Sequence, residues 1–153
     1  MKVGIIGPEC TGKSTLARYL AKRYKGVYIA EYAREFVEQK GNKEVSYEEL
    51  CLIAQKQIED IQSQTAEFCF FDTELIVTKV WFDYAFGRVP DWLEQAIHQY
   101  PMDVYLLTYP DLPWQPDPAR YNGSDAMRTE LFNRYESEIQ ALDIPYYIIK
   151  HNG

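Results

Sequence analysis

The sequence predicts an open α/β fold, a five-stranded parallel sheet with helices on both faces. Three observations carry that prediction. Short apolar runs alternate with longer amphipathic segments along the whole chain. A glycine-bearing turn joins the first apolar run to the first amphipathic segment. Acids end two of the apolar runs, at the positions where an open parallel sheet gathers its ligands.

The elements follow in order. Lys2–Gly7 reads as the first strand, and Lys13–Tyr24 as a helix with Leu16, Tyr19, Leu20 and Tyr24 at helical spacing. Val27–Ala30 is a second strand, and Glu31–Gln39 begins another helix. Tyr47–Gln64 carries Leu50, Ile53, Ala54, Ile58 and Ile61 on one face, with Ser46 as its N-cap. Phe68–Phe71 is wholly apolar, as a parallel strand covered on both faces should be. Glu74–Phe86, closed by Gly87, and Asp91–Tyr100, opened by Pro90, follow as helices. Asp103–Thr108 is the fourth strand, Ala126–Leu142 a helix and Pro145–Lys150 the fifth strand. Between them, Tyr109–Asp125 holds Pro110, Pro113, Pro116 and Pro118. Regular structure is excluded there, and so long a loop reads as a lid or binding loop.

Composition narrows the function. The 153 residues are the size of one domain spanning 1–153, and 46% hydrophobic residues supply a sizeable core. A formal charge of -7 argues against a general nucleic-acid binder. It leaves room for a small anion held by a few N–H groups and one lysine. Three cysteines without paired spacing argue against a disulfide framework or a zinc site and for a reducing compartment. No run approaches the roughly 18 apolar residues of a membrane span. The expectation is a cytoplasmic protein without membrane or nucleic-acid partners; oligomeric state is not legible.

Gly7-Pro8-Glu9-Cys10-Thr11-Gly12-Lys13-Ser14-Thr15 matches G-x-x-x-x-G-K-[ST] between a predicted strand and a predicted helix. Glycines let backbone N–H groups approach phosphate oxygens, and the helix start adds the positive end of its dipole. The expected ligand is ATP, with Lys13 on the β- and γ-phosphates and Ser14 on Mg²⁺. Cys10 reads either as a small residue fitting a tight loop or as a thiol activated by the phosphate-facing N–H groups.

Asp72 ends Phe68–Phe71 as a Walker-B acid would, to hold Mg²⁺, or caps the helix that follows. Glu31 ends Val27–Ala30, where it could orient or deprotonate an acceptor hydroxyl, or serve as a helix-start acid beside Arg34. Arg120 and Arg128 flank the long loop and could deliver guanidinium charge to a transferring phosphoryl group, or lie solvated at the surface. Trp81, Phe82, Tyr84 and Phe86 share one helix and could be core or flank a planar ring.

These segments, in this order, resemble the ribosylnicotinamide kinase domain of NadR-like proteins. The likeness rests on Gly7–Thr15, Glu31-Tyr32-Ala33-Arg34-Glu35-Phe36, Phe71-Asp72-Thr73, Gly87 and the Arg120…Arg128 loop, and spans nearly the whole chain. It implies a P-loop NTPase fold of the kinase type with strand order 2-3-1-4-5. It implies MgATP as donor and the 5′-hydroxyl of nicotinamide riboside, or a similar primary alcohol, as acceptor. By position, Lys13 and Ser14 become phosphate and metal ligands, Asp72 the Walker-B acid, Glu31 the acid near the acceptor hydroxyl, and Arg120 and Arg128 the lid arginines. Two departures stand out. Relatives tend to place Trp just before the Glu-Tyr pair, where this sequence has Ala30. NadR proteins also carry an adenylyltransferase domain ahead of this kinase, whereas Met1 here opens on the first strand, so adenylyl transfer is not expected. A closing helix usual in relatives would lie beyond Gly153. The competing class is a regulatory ATP-binding or ATP-hydrolysing switch with no small-molecule acceptor.

Overall fold

In the computed structural model, which describes residues 1–9, 11–111 and 125–150, each apolar run becomes a strand of one sheet. The strands are β1 (Lys2–Ile6), β2 (Val27–Ile29), β3 (Cys69–Asp72), β4 (Val104–Thr108) and β5 (Tyr146–Ile149). They lie in the order β2-β3-β1-β4-β5 and every neighbouring pair is parallel. The helices are α1 (Lys13–Arg23), α2 (Tyr32–Lys40), α3 (Tyr47–Ser63), α4 (Leu75–Phe86), α5 (Asp91–Gln99) and α6 (Asp125–Leu142). The order agrees with the one that the resemblance implies. β1 is central, with β3 on one side and β4 on the other, so connections leave it toward both edges. The crevice outside its carboxyl end is where a ligand fits such a sheet.

Alternation along the strands divides the core. Val3, Ile5 and Phe70 face α1, where they pack with Ala17 and Ala21. Ile6, Phe71 and Leu107 belong to the larger cluster with Leu50, Ile53, Leu75, Phe82 and Ile139. Two tyrosines read as part of the buried face of α1 are not in it, since Tyr19 and Tyr24 are mostly exposed. The physical reason is closeness: two alanines let α1 lie down on the sheet, and bulkier side chains are turned outward. The Tyr24 ring instead covers Phe68, with ring centres 5.6 Å apart.

Helix ends follow local chemistry. Ser46 accepts from the Glu49 N–H at 3.1 Å, and its own N–H donates to Glu49 Oε1 at 3.0 Å, a reciprocal capping box. Gly87 ends α4 as read from the sequence. Glu31 and Glu74 are N-cap residues, one step outside the helices expected to begin with them. Among the described residues no helix is long and apolar enough to cross a membrane, and Cys51 and Cys69 are free thiols.

Candidate functional site

The turn after β1 is fixed by its neighbours. A Cβ on Gly7 would stand 2.0 Å from Thr108 Oγ1 at the end of β4, so only glycine lets the two strand ends pass. Thr11 Oγ1 donates to Pro8 O at 2.6 Å and lies 2.6 Å from Thr108 Oγ1, tying the loop to β4. Gly12, left-handed at φ 81°, is the N-cap of α1, so the first N–H groups of that helix open at the loop. Lys13 is 6% exposed, and its ammonium donates back to Gly7 O at 3.0 Å and Pro8 O at 3.1 Å. Ser14 follows on the first turn, and Thr15 is exposed. Cys10 lies outside the described residues.

Asp72 ends β3 directly beside this turn and is 1% exposed. Its Oδ2 accepts from Ser14 Oγ at 2.5 Å and from Tyr28 OH at 2.8 Å. Its Oδ1 is buried and has no hydrogen-bond partner among the described residues. The helix-cap reading of Asp72 does not hold, because Glu74 caps α4 by accepting from the Ile76 N–H at 2.9 Å. An unmatched buried carboxylate oxygen beside a serine hydroxyl fits a hard cation with oxygen ligands. Mg²⁺ takes one or two protein oxygens and completes its shell with phosphate and water.

The next two residues turn sharply. Thr73 is left-handed at φ 73°, which a β-branched residue adopts only under constraint, and its N–H donates to Ile5 O at 2.9 Å. Its hydroxyl donates to Glu31 Oε1 at 3.1 Å, so the acids ending β2 and β3 are joined through one threonine. Glu74 goes into the core, where burial pushes its carboxyl up to about 7 against hydrogen bonds from Ile76, Tyr105 and Leu75. Burial and that carboxyl together push the Tyr105 hydroxyl well above its ordinary value.

A cleft of about 880 Å³, counted to its open mouth, starts at this cluster. Gly7, Glu9, Glu31 and Thr73 line one end of it. Val77, Trp81 and Tyr84 on α4, with Leu131 and Tyr135 on α6, line the other. Trp81 follows Val77 by one helical turn, so α4 presents a continuous stripe to the cleft. The aromatic set of this helix therefore divides. Trp81 and Tyr84 face the cleft, whereas Phe82 is core and Phe86 meets Tyr47 edge-on, with ring centres 5.5 Å apart. Thr78 also lines the cleft, and its hydroxyl donates to buried Gln57 of α3 at 2.6 Å.

Arg128 lies in the first turns of α6, buried, with Nη2 donating to Asp125 Oδ1 at 2.9 Å. Arg120 lies outside the described residues. Sequence reasoning passed over Tyr28, Thr73, Glu74, Thr78, Gln57 and Thr108. Of these, Thr73 and Glu74 carried a signal in the acidic turn Asp72-Thr73-Glu74; the others depend on strand register and helix packing.

Comparison with known proteins bears on the fold and the family. The trifunctional NAD biosynthesis/regulator protein NadR of Salmonella typhimurium is 26% identical over 97% of this chain and 38% of its own length. The chain thus spans well under half of that relative. NadR solved with NAD and AMP-PNP superposes with a TM-score of 0.76 at 22% identity, and NadR solved with NR with 0.75 at 21%. Each superposition covers 99% of this chain and 44% of the other. Thymidylate kinase from Ehrlichia chaffeensis superposes at 0.69 with 13% identity over 100% of this chain and 88% of its own. The fold is that of the P-loop kinases. The sequence model of the AAA domain matches residues 2–153, so the chain belongs to that family.

Proposed function

We propose that the protein is an ATP-dependent kinase that phosphorylates a primary alcohol on a small heteroaromatic riboside, with nicotinamide riboside the first acceptor to test. The carrying observation is the Glu31–Thr73 pair, a carboxylate held at 3.1 Å between the phosphate loop and an aromatic-lined cleft. A switch ATPase has no need of a cleft of that size beside its γ-phosphate position. The likeness to NadR solved with NR supports the acceptor class.

In this reading, the loop N–H groups and the start of α1 bind the phosphates of ATP, and Lys13 neutralises charge on the β- and γ-phosphates. Ser14 and Asp72 would hold Mg²⁺, which would neutralise charge on the phosphate oxygens. Thr73 orients the Glu31 carboxylate, which takes the proton of the acceptor hydroxyl as the acceptor oxygen bonds to the γ-phosphorus. The bond from that phosphorus to the β-bridging oxygen breaks, and ADP leaves. Arg128 of α6, and Arg120 from the segment that precedes it in sequence, supply guanidinium charge to the transferring group. Trp81 and Tyr84 take the planar base of the acceptor.

The test is phosphoryl transfer from γ-labelled MgATP by the intact protein to a panel of nucleosides, nicotinamide riboside, vitamin alcohols and glycerol. Transfer to a heteroaromatic riboside and not to glycerol is expected. ATP hydrolysis without labelled product on any alcohol would overturn the kinase reading in favour of the switch.

A further inference from the structure

We infer that Tyr28 is a positioning residue for the Asp72 carboxylate, holding its Oδ2 edge so that Oδ1 is presented to Mg²⁺. This rests on the MgATP reading above, and its grounds are geometric. β2 and β3 pair in parallel with Tyr28 opposite Phe70, so Asp72 lies two residues further along β3 and on the same face. Two residues of strand are roughly 6.6 Å, a gap that serine or threonine at position 28 would not close. A phenol does, and its hydroxyl reaches Asp72 Oδ2 at 2.8 Å.

That contact has a consequence for the carboxylate. The terminal torsion of aspartate is broad, so a single donor leaves the group free to rock. Ser14 at 2.5 Å and Tyr28 at 2.8 Å meet the same oxygen from two different elements, α1 and β2. Together they fix the plane of the group and leave Oδ1 as the unmatched acceptor. Ser14 is itself assigned to the metal, so Tyr28 is the donor that touches only the carboxylate. Its ring is held in turn, with the Arg18 guanidinium 5.1 Å from the ring centre and α1 side chains beside it.

The experiment measures ATP affinity by calorimetry on the full chain, across a Mg²⁺ series and with a chelator, for the parent, Tyr28→Phe, Arg18→Ala, Asp72→Asn and the double variant Tyr28→Phe with Asp72→Asn. Tyr28→Phe should raise the Mg²⁺ concentration needed for half-maximal effect by roughly tenfold, the scale of one hydrogen bond to a charged group. Metal-free affinity should stay at the parent value. Arg18→Ala loosens the ring but spares the hydroxyl, and should shift the Mg²⁺ response in the same direction by less than Tyr28→Phe does. In the Asp72→Asn background the Tyr28→Phe effect should shrink or vanish, as coupled neighbours require. Equal loss with and without Mg²⁺, or full additivity with Asp72→Asn, overturns the positioning role and leaves Tyr28 as packing. A parent whose ATP affinity ignores Mg²⁺ overturns the metal reading itself, and the role of Tyr28 with it. The two failures are therefore distinguishable.

Discussion

The two ends of the cleft are built by different means. At the end proposed for phosphate, position comes from the backbone: a glycine where β1 passes β4, a left-handed glycine starting α1, and threonine hydroxyls tying the turn to its neighbours. At the end proposed for the acceptor, position comes from side chains that α4 and α6 bring together, Trp81 and Tyr84 from one and Tyr135 from the other. A turn made of main chain holds any polyphosphate in the same way and tolerates little change. A wall made of side chains on separate helices can be re-cut residue by residue without disturbing the turn. The difference predicts that substitutions at the first end abolish the reaction, whereas those at the second end change which alcohol is used.

The largest effect belongs to the phosphate end. Lys13→Ala should abolish detectable transfer to every acceptor while the chain stays folded, because the ammonium donates to carbonyls of the loop itself. Transfer assays and circular dichroism together test this. A variant turning over MgATP like the parent would break the comparison at its stronger end.

Glu31 stands at the junction, so it should behave as neither end does. Glu31→Gln keeps a side chain able to accept from Thr73 but removes the base, and kcat for transfer should fall by roughly 10²–10⁴-fold. ATP affinity should stay near the parent value, since the loop supplies it independently. Steady-state kinetics beside calorimetry decide the point. Unchanged kcat would remove Glu31 from the chemistry.

At the acceptor end the expectation is a shift in KM. Trp81→Leu should raise KM for a heteroaromatic riboside by roughly tenfold, the scale of one ring–ring contact, and leave KM for ATP alone. Trp81→Phe should recover most of the loss. Quenching of tryptophan fluorescence by acceptor, absent in Trp81→Leu, gives a second readout. Equal loss for aromatic and aliphatic alcohols would mean that the ring is packing only.

The same contrast explains what was legible in the sequence. The loop could be read because its chemistry is contiguous, nine residues in a row between a strand and a helix. The strands could be read because buried parallel strands are apolar throughout, as Phe68–Phe71 is. Tyr28 could not be assigned, because its role exists only once β2 is in register with β3. Trp81 and Phe82 are adjacent aromatics, and only the packing of α4 against its neighbours sends one to the cleft and the other to the core. Asp72 could be either a cap or a ligand on sequence grounds, and Glu74 as the observed cap of α4 removed the first of these.

Glu74 also gives the smallest effect on turnover and the clearest one on stability. It follows Asp72 and Thr73 but turns away from the cleft, accepting from Ile76 with Tyr105 beside it. Burial raises its carboxyl from 4.5 to about 7, so the folded chain keeps a proton that the unfolded chain has released. The sign follows from proton counting: where the folded state binds more protons, stability falls as pH rises. The contribution is complete below about pH 4.5, is lost progressively up to about pH 7, and is flat above that. Glu74→Gln keeps the oxygen that caps α4 and cannot titrate. Subtracting its unfolding free energy from that of the parent, by urea titration between pH 4.5 and 8, cancels every other acid in the chain. The difference should drift against the parent by roughly 3 kcal/mol across the window, a shift of about 2.5 units at 1.36 kcal/mol each. A difference that stays constant with pH would place the Glu74 carboxyl within reach of water. It would then belong with Asp72 and Glu31 to the ligand-facing side of the turn, and the separation between core and cleft at Thr73 would have to be redrawn.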